Sequence, residues 1–246
     1  MHQKKYFNNV EEFLKSSLQF HYIVHIAMSH KQILDEGASS LGLALANCTN
    51  LTNLKLDLFG NKIGRKSTSA LGSALSNCLN LQNLALYLSQ NQIDETGASA
   101  LISALANCTN LLNLTLNLSH NKIGVFGTSG LDISLENLIN LTNLTLDFSD
   151  NKIGAKGASC LGSALKNLKN LSNFELYLIS NKIGDTYIHT YILAHGYMHS
   201  GQGPYIQLLI HYYYTYTNLF IYNCGQYTRR EGSPTPQWHF YQSSMI

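Results

Sequence analysis

His195 and His199 stand four residues apart, the spacing at which one helical face can present two imidazoles to a metal ion. His189, His211 and Cys224 lie nearby in sequence, but no carboxylate stands between the pair and the helical pattern is weak. No metal is therefore expected. Cys48, Cys78 and Cys108 recur every 30 residues and would stack if copies of a unit stack, as a thiolate site or a disulfide set requires. Their column continues as Leu138 and Leu168, however, and a position that accepts Leu wants an apolar side chain, which a free cysteine supplies. Cys160 shares a column with Ala70, Ala100 and Gly130, so it reads as a small helix residue. Asn-x-Ser/Thr triplets, among them Asn47, Asn50, Asn107 and Asn140, arise automatically in an Asn- and Thr-rich repeat. The apolar stretch 18–28 is broken by Gln19, His21 and His25 and follows Glu11 and Glu12, which does not read as a secretory leader. With no phosphate-binding loop, nucleophile elbow or kinase signature, the reading is of a cytoplasmic protein that is not an enzyme and uses no cofactor.

The elements that must position these residues follow from a 30-residue period. Asn61, Asn91, Asn121, Asn151 and Asn181 are each followed two places on by Ile. Ahead of them run Leu54, Leu56 and Leu58, then Leu84, Leu86 and Leu88, and equivalent triplets in three further copies. Apolar residues alternating with polar ones put the leucines on one face of a short strand. After the turn, Gly157, Ala158, Leu161, Ala164 and Leu165 have the spacing of a helical stripe. One unit is strand, turn, helix and loop. It buries about six apolar side chains at ~1.5–3 kcal/mol each, against ~1–2 kcal/mol of backbone entropy for each residue, so it cannot stand alone. Stacking gives every strand a neighbour and closes the core.

This pattern resembles the leucine-rich-repeat family, of the ribonuclease-inhibitor-like type with a full helix in each repeat. The resemblance covers residues 21–185 and implies an α/β solenoid, a horseshoe with parallel strands on the concave face and helices on the convex face. The spacing Leu51-x-x-Leu54-x-Leu56-x-Leu58-x-x-Asn61 holds one leucine step more than the family pattern, which predicts strands longer by about two residues. The family serves many functions, so the fold alone names none.

Outside the repeats, residues 1–20 read as an N-terminal capping segment, with a helix near 10–18 that turns Phe13, Leu14 and Leu18 inward. Val24, Ile26 and Met28 form a worn first copy. Residues 186–246 form a Tyr-rich tail in which no repeat survives, open to three readings: a cap, disorder, or non-native sequence such as follows a frameshift. It is too polar for a membrane span.

The formal charge of +2 and a charged fraction of 12% supply no bulk field for nucleic acid or membrane, which leaves a protein partner and a monomeric scaffold. The outward strand positions are the candidate partner-binding residues: Lys55, Asp57, Tyr87, Asn117, Asp147, Glu175 and Tyr177. They differ between copies, packing does not set them, and tyrosine is a favoured interface anchor. A basic rim is expected from the turn residues Lys62, Lys122, Lys152 and Lys182 with Arg65 and Lys66. The leading expectation is a non-enzymatic protein-binding scaffold that works through its concave sheet. Its alternatives are a regulator of a small GTPase, since the resemblance includes Ran-GTPase-activating proteins, and a recognition fragment of a larger sensor or kinase.

Overall fold

The computed structural model describes residues 4–165, 168 and 170–183, followed by three strand segments in 208–213, 219–221 and 241–242. The strands form one sheet in sequence order. They are β1 (Lys4–Phe7), β2 (Ile23–Ala27), β3 (Asn53–Asp57), β4 (Asn83–Tyr87), β5 (Asn113–Asn117), β6 (Asn143–Asp147), β7 (Asn173–Tyr177), β8 (Leu208–Tyr213), β9 (Leu219–Ile221) and β10 (Tyr241–Gln242). Every pairing from β1 to β8 is parallel, and from β2 to β7 the register aligns each residue with the one 30 places on, as Leu54 with Leu84 and Leu84 with Leu114. β9 and β10 are antiparallel additions.

Parallel neighbours need a crossover, and here the crossover carries a helix: α2 (Asp35–Leu45), α3 (Arg65–Leu75), α4 (Glu95–Ala104), α5 (Leu131–Asn137) and α6 (Gly154–Leu165). Between sheet and helices the leucine columns make one continuous core, with Phe148 and Phe174 filling leucine positions. Adjacent helices approach closely through glycine. A Cβ on Gly72 would lie 3.0 Å from Leu101 Cα, and one on Gly42 would lie 3.1 Å from the Ala70 carbonyl.

Three expectations change on contact with the structure. The strands are five residues long and not lengthened; the extra leucine step falls in the turn after each strand. There Leu58, Leu88 and Leu118 are buried, and the turn backbone prolongs the coil-to-coil bonding, Leu58 N–H donating to Tyr87 O at 2.9 Å and Gly60 N–H to Ser89 O at 3.0 Å. A full helix in every repeat also fails: the coil after β5 breaks its helix into a 3-10 turn at Val125–Thr128 and the seven-residue α5. Finally, the N-terminal segment begins with the strand β1, and its helix α1 is only Val10–Leu14. Phe13 is buried and Leu18 packs against the core from a partly buried position, but Leu14 faces solvent.

The N-terminal end of the core is closed by aromatic rings. Phe7 meets Phe13 edge-on at 5.1 Å between centroids, and His21 lies 5.5 Å from Phe7 with its Nε2 2.8 Å from Ser16 Oγ. At the other end, β8 continues the parallel sheet inside the stretch expected as a tail. Apart from β8, β9 and β10, residues 186–246, His195 and His199 among them, lie outside the described residues.

Candidate functional site

The turn column around Asn91 shows why asparagine recurs. Its Oδ1 accepts from Ile63 N–H at 3.0 Å, while its Nδ2 donates to the carbonyls of Leu58 and Leu88 at 3.0 Å and of Ser89 at 3.1 Å. Asn61, Asn121 and Asn151 repeat the arrangement. Each amide ties its own turn to the coil before it, so the column is structural and not a polar groove. A second asparagine ladder, also recurring every 30 residues, was not singled out in the sequence. Asn50, Asn80, Asn110, Asn140 and Asn170 donate to backbone carbonyls 31 residues earlier, for example Asn80 to Thr49 O at 2.9 Å. Three of these, Asn50, Asn140 and Asn170, open Asn-x-Ser/Thr triplets.

The cysteine column is equally structural. Cys48, Cys78 and Cys108 are fully buried, and Sγ of Cys78 donates to Leu45 O and Ala74 O. Burial pushes the thiols of Cys48 and Cys108 up to about 12 and that of Cys78 up to about 11, so they stay protonated and unreactive.

What remains is the sheet face turned away from the helices. Three columns run across it. The first holds an amide ladder in which Asn113 donates to Asn83, Asn143 to Asn113 and Asn173 to Asn143. The second holds His25, Lys55, Ala85, Thr115, Thr145 and Glu175, and the third Asp57, Tyr87, Asn117, Asp147 and Tyr177. All seven candidate partner-binding residues are therefore on one wall, at least partly exposed. Lys55 Nζ stands 5.1 Å above the Tyr87 ring, and Thr145 Oγ1 donates to Glu175 Oε2 at 3.2 Å. Burial, then the carboxylates of Glu175 and Asp147, raises the Tyr177 phenol, so the hydroxyl is a hydrogen-bond donor at neutral pH.

For three of the seven, a hydrogen bond to the chain's own backbone holds a side chain that packing does not set. Asp57, Asn117 and Asp147 each turn an oxygen onto the backbone N–H two residues on, at 3.1, 3.0 and 3.0 Å, and so fix the strand exit. Asp57 also accepts from Ser29 Oγ at 2.6 Å.

Among the wall residues that escaped the sequence reading are Lys4 and His25. They line a shallow depression of about 400 Å³ together with Lys55, Asn53, Asn83 and Thr115. Aligning the worn first copy fully would have put His25 in the Lys55 column; nothing in the sequence announced β1.

The rim residues Lys62, Lys122, Lys152 and Lys182 are exposed and spaced by multiples of the coil repeat, and Lys66, in the first turn of α3, is exposed as well. Arg65 belongs to another system: its guanidinium pairs with Asp94, Nε to Oδ2 at 2.8 Å, while Asp94 Oδ1 accepts Gly97 N–H at 2.9 Å and caps α4. The Arg65 hydrogen bond holds the Asp94 carboxyl below its ordinary range against the effect of burial. Among the described residues no His, Cys, Asp and Glu cluster has the make-up of a metal site, and no helix is long and apolar enough to cross a membrane.

A family model described as Leucine Rich repeat matches residues 140–162, which span β6 and most of α6. Among solved structures, internalin C2 from Listeria monocytogenes is similar at 22% identity over 65% of this chain and 80% of that one, with a TM-score of 0.31. A plant peptide hormone receptor, RGFR1, in complex with RGF2 is similar at 18% identity with a TM-score of 0.20; the match covers 64% of this chain and 36% of the receptor. No curated protein matches the chain at a significant level. The stacked strand–turn–helix coils have the architecture of a leucine-rich-repeat solenoid, and one stretch of them matches the family model of that repeat.

Proposed function

We propose that the chain is a non-enzymatic protein-binding scaffold and that the wall formed by β3 to β7 is its recognition face. One observation carries this reading. The coil repeats its core, turn and amide positions almost unchanged, whereas the two outer wall columns change from coil to coil, through Lys55, Ala85, Thr115, Thr145 and Glu175 and through Asp57, Tyr87, Asn117, Asp147 and Tyr177. Side chains fixed on a hydrogen-bonded sheet lose little freedom on binding, which favours affinity for a partner that matches them. The two tyrosines offer large, stiff contact surfaces with a polar tip. The exposed lysine rim would speed encounter with an acidic partner without setting its identity.

The test is affinity recovery from cell lysate with the intact chain and with a Tyr87→Ala/Tyr177→Ala/Lys55→Ala variant. The reading expects proteins retained by the first and lost by the second. Equal recovery by both would remove the wall from the function.

A further inference from the structure

Resting on that reading, we infer that the wall takes an extended, charge-polarised peptide segment of its partner, acidic where it crosses β1 to β3 and basic where it crosses β6 and β7. The charge on the wall is divided by strand. The N-terminal third presents Lys4, Lys55 and His25, and the first two lie close enough to lower the His25 imidazole, after the effect of burial itself. Among the described residues Asp57 is the one carboxylate on this third; it accepts from Ser29 Oγ and Phe59 N–H, and the two lysines outnumber it. β4 and β5 carry no formal charge at any wall position: Asn83, Ala85, Tyr87, Asn113, Thr115 and Asn117. The C-terminal third presents the carboxylates of Asp147 and Glu175. Among the described residues, neither Lys4 and Lys55 nor Asp147 and Glu175 form an ion pair, and the sheet keeps the two groups too far apart to neutralise each other.

The separation sets the ligand's spacing. Lys55 and Glu175 share a column four strands apart. Neighbouring strands lie ~4.8 Å apart, so the gap is roughly 19 Å, which an extended peptide at ~3.3 Å per residue spans in about six residues. Between the charged ends, the Asn83 to Asn173 amide ladder supplies polar contacts and Tyr87 an aromatic one. The compatible occupant is a peptide with Asp or Glu near one end and Lys or Arg about six residues away.

The experiment uses the full-length chain, immobilised through biotin, and a phage-displayed library of random twelve-residue peptides. Two variants reverse one end each: Lys4→Glu/Lys55→Glu, and Asp147→Asn/Glu175→Lys. Asparagine at 147 keeps the turn acceptor that Asn117 supplies in its own coil, so the second variant retains its fold. The unmodified chain is expected to enrich acid–base peptides of the stated spacing. Each variant should bind those peptides about tenfold more weakly and select peptides of uniform charge instead, basic for the first and acidic for the second. Peptides whose binding is lost on Tyr87→Ala/Tyr177→Ala, yet is indifferent to both charge reversals, would overturn the polarity and leave the wall as the recognition face. No enrichment, or binding indifferent to the tyrosines and to both charge reversals, would overturn both.

Discussion

A single buried asparagine serves two coils at once, and this is where the fold is most brittle. Removing the Asn91 amide leaves Ile63 N–H and the Leu58 and Leu88 carbonyls without their partner in a dry interior. An unmet buried donor or acceptor costs about 1–3 kcal/mol, so Asn91→Ala should lower unfolding free energy by about 3 kcal/mol in urea titration. A loss under 1 kcal/mol would mean that water replaces the amide. This role was legible because the column never varies while its neighbours do. The turn-fixing roles of Asp57, Asn117 and Asp147 were not legible, since strand alternation says only that they point outward. The Asn50 to Asn170 column is as invariant as that of Asn91, but its partner, a backbone carbonyl 31 residues earlier, leaves no mark in the sequence.

At the level of elements, period and register could be read off the leucines, but the ends could not. The strand β1 repeats none of the column residues except an apolar Phe7, which aligns with Ile26, and only pairing with β2 gives it a place. The break before α5 falls at Ser129 and Gly130, where small residues give way to no continuous helical stripe. The N-terminal closure has a pH signature. Burial, with Lys5 assisting, lowers the His21 imidazole from its ordinary 6.5. The unfolded chain therefore takes up a proton first as pH falls, and stability drops from about pH 6.5 downward until the folded form also titrates. His25 shifts in the same direction. Far-UV circular dichroism of urea unfolding at pH 7.5 and pH 5.5 should give the lower midpoint at pH 5.5. His21→Gln, which keeps an N–H donor for Ser16 Oγ but cannot titrate, should shrink that difference. An unchanged difference would place the acid sensitivity elsewhere.

The whole molecule behaves as a stack in which each coil leans on its neighbours, so stability should scale with coil number. Deleting residues 84–113 joins Asn83 to Leu114 in register, leaving every column continuous. The shortened chain is expected to fold, with its urea dependence reduced by about one coil's share of buried surface; failure to fold would show that this coil does more than repeat. The same stacking displays the two tyrosines and the charged residues of the wall on one rigid face, and it leaves Phe126, Ile133 and Ile139 exposed on the helical side and its loops. Which face meets the partner is decided by photo-crosslinking in cell lysate, with benzoylphenylalanine placed at Tyr87 in one sample and at Ile133 in another. The account predicts a discrete protein adduct from position 87 and none from position 133. An adduct from position 133 alone would contradict it.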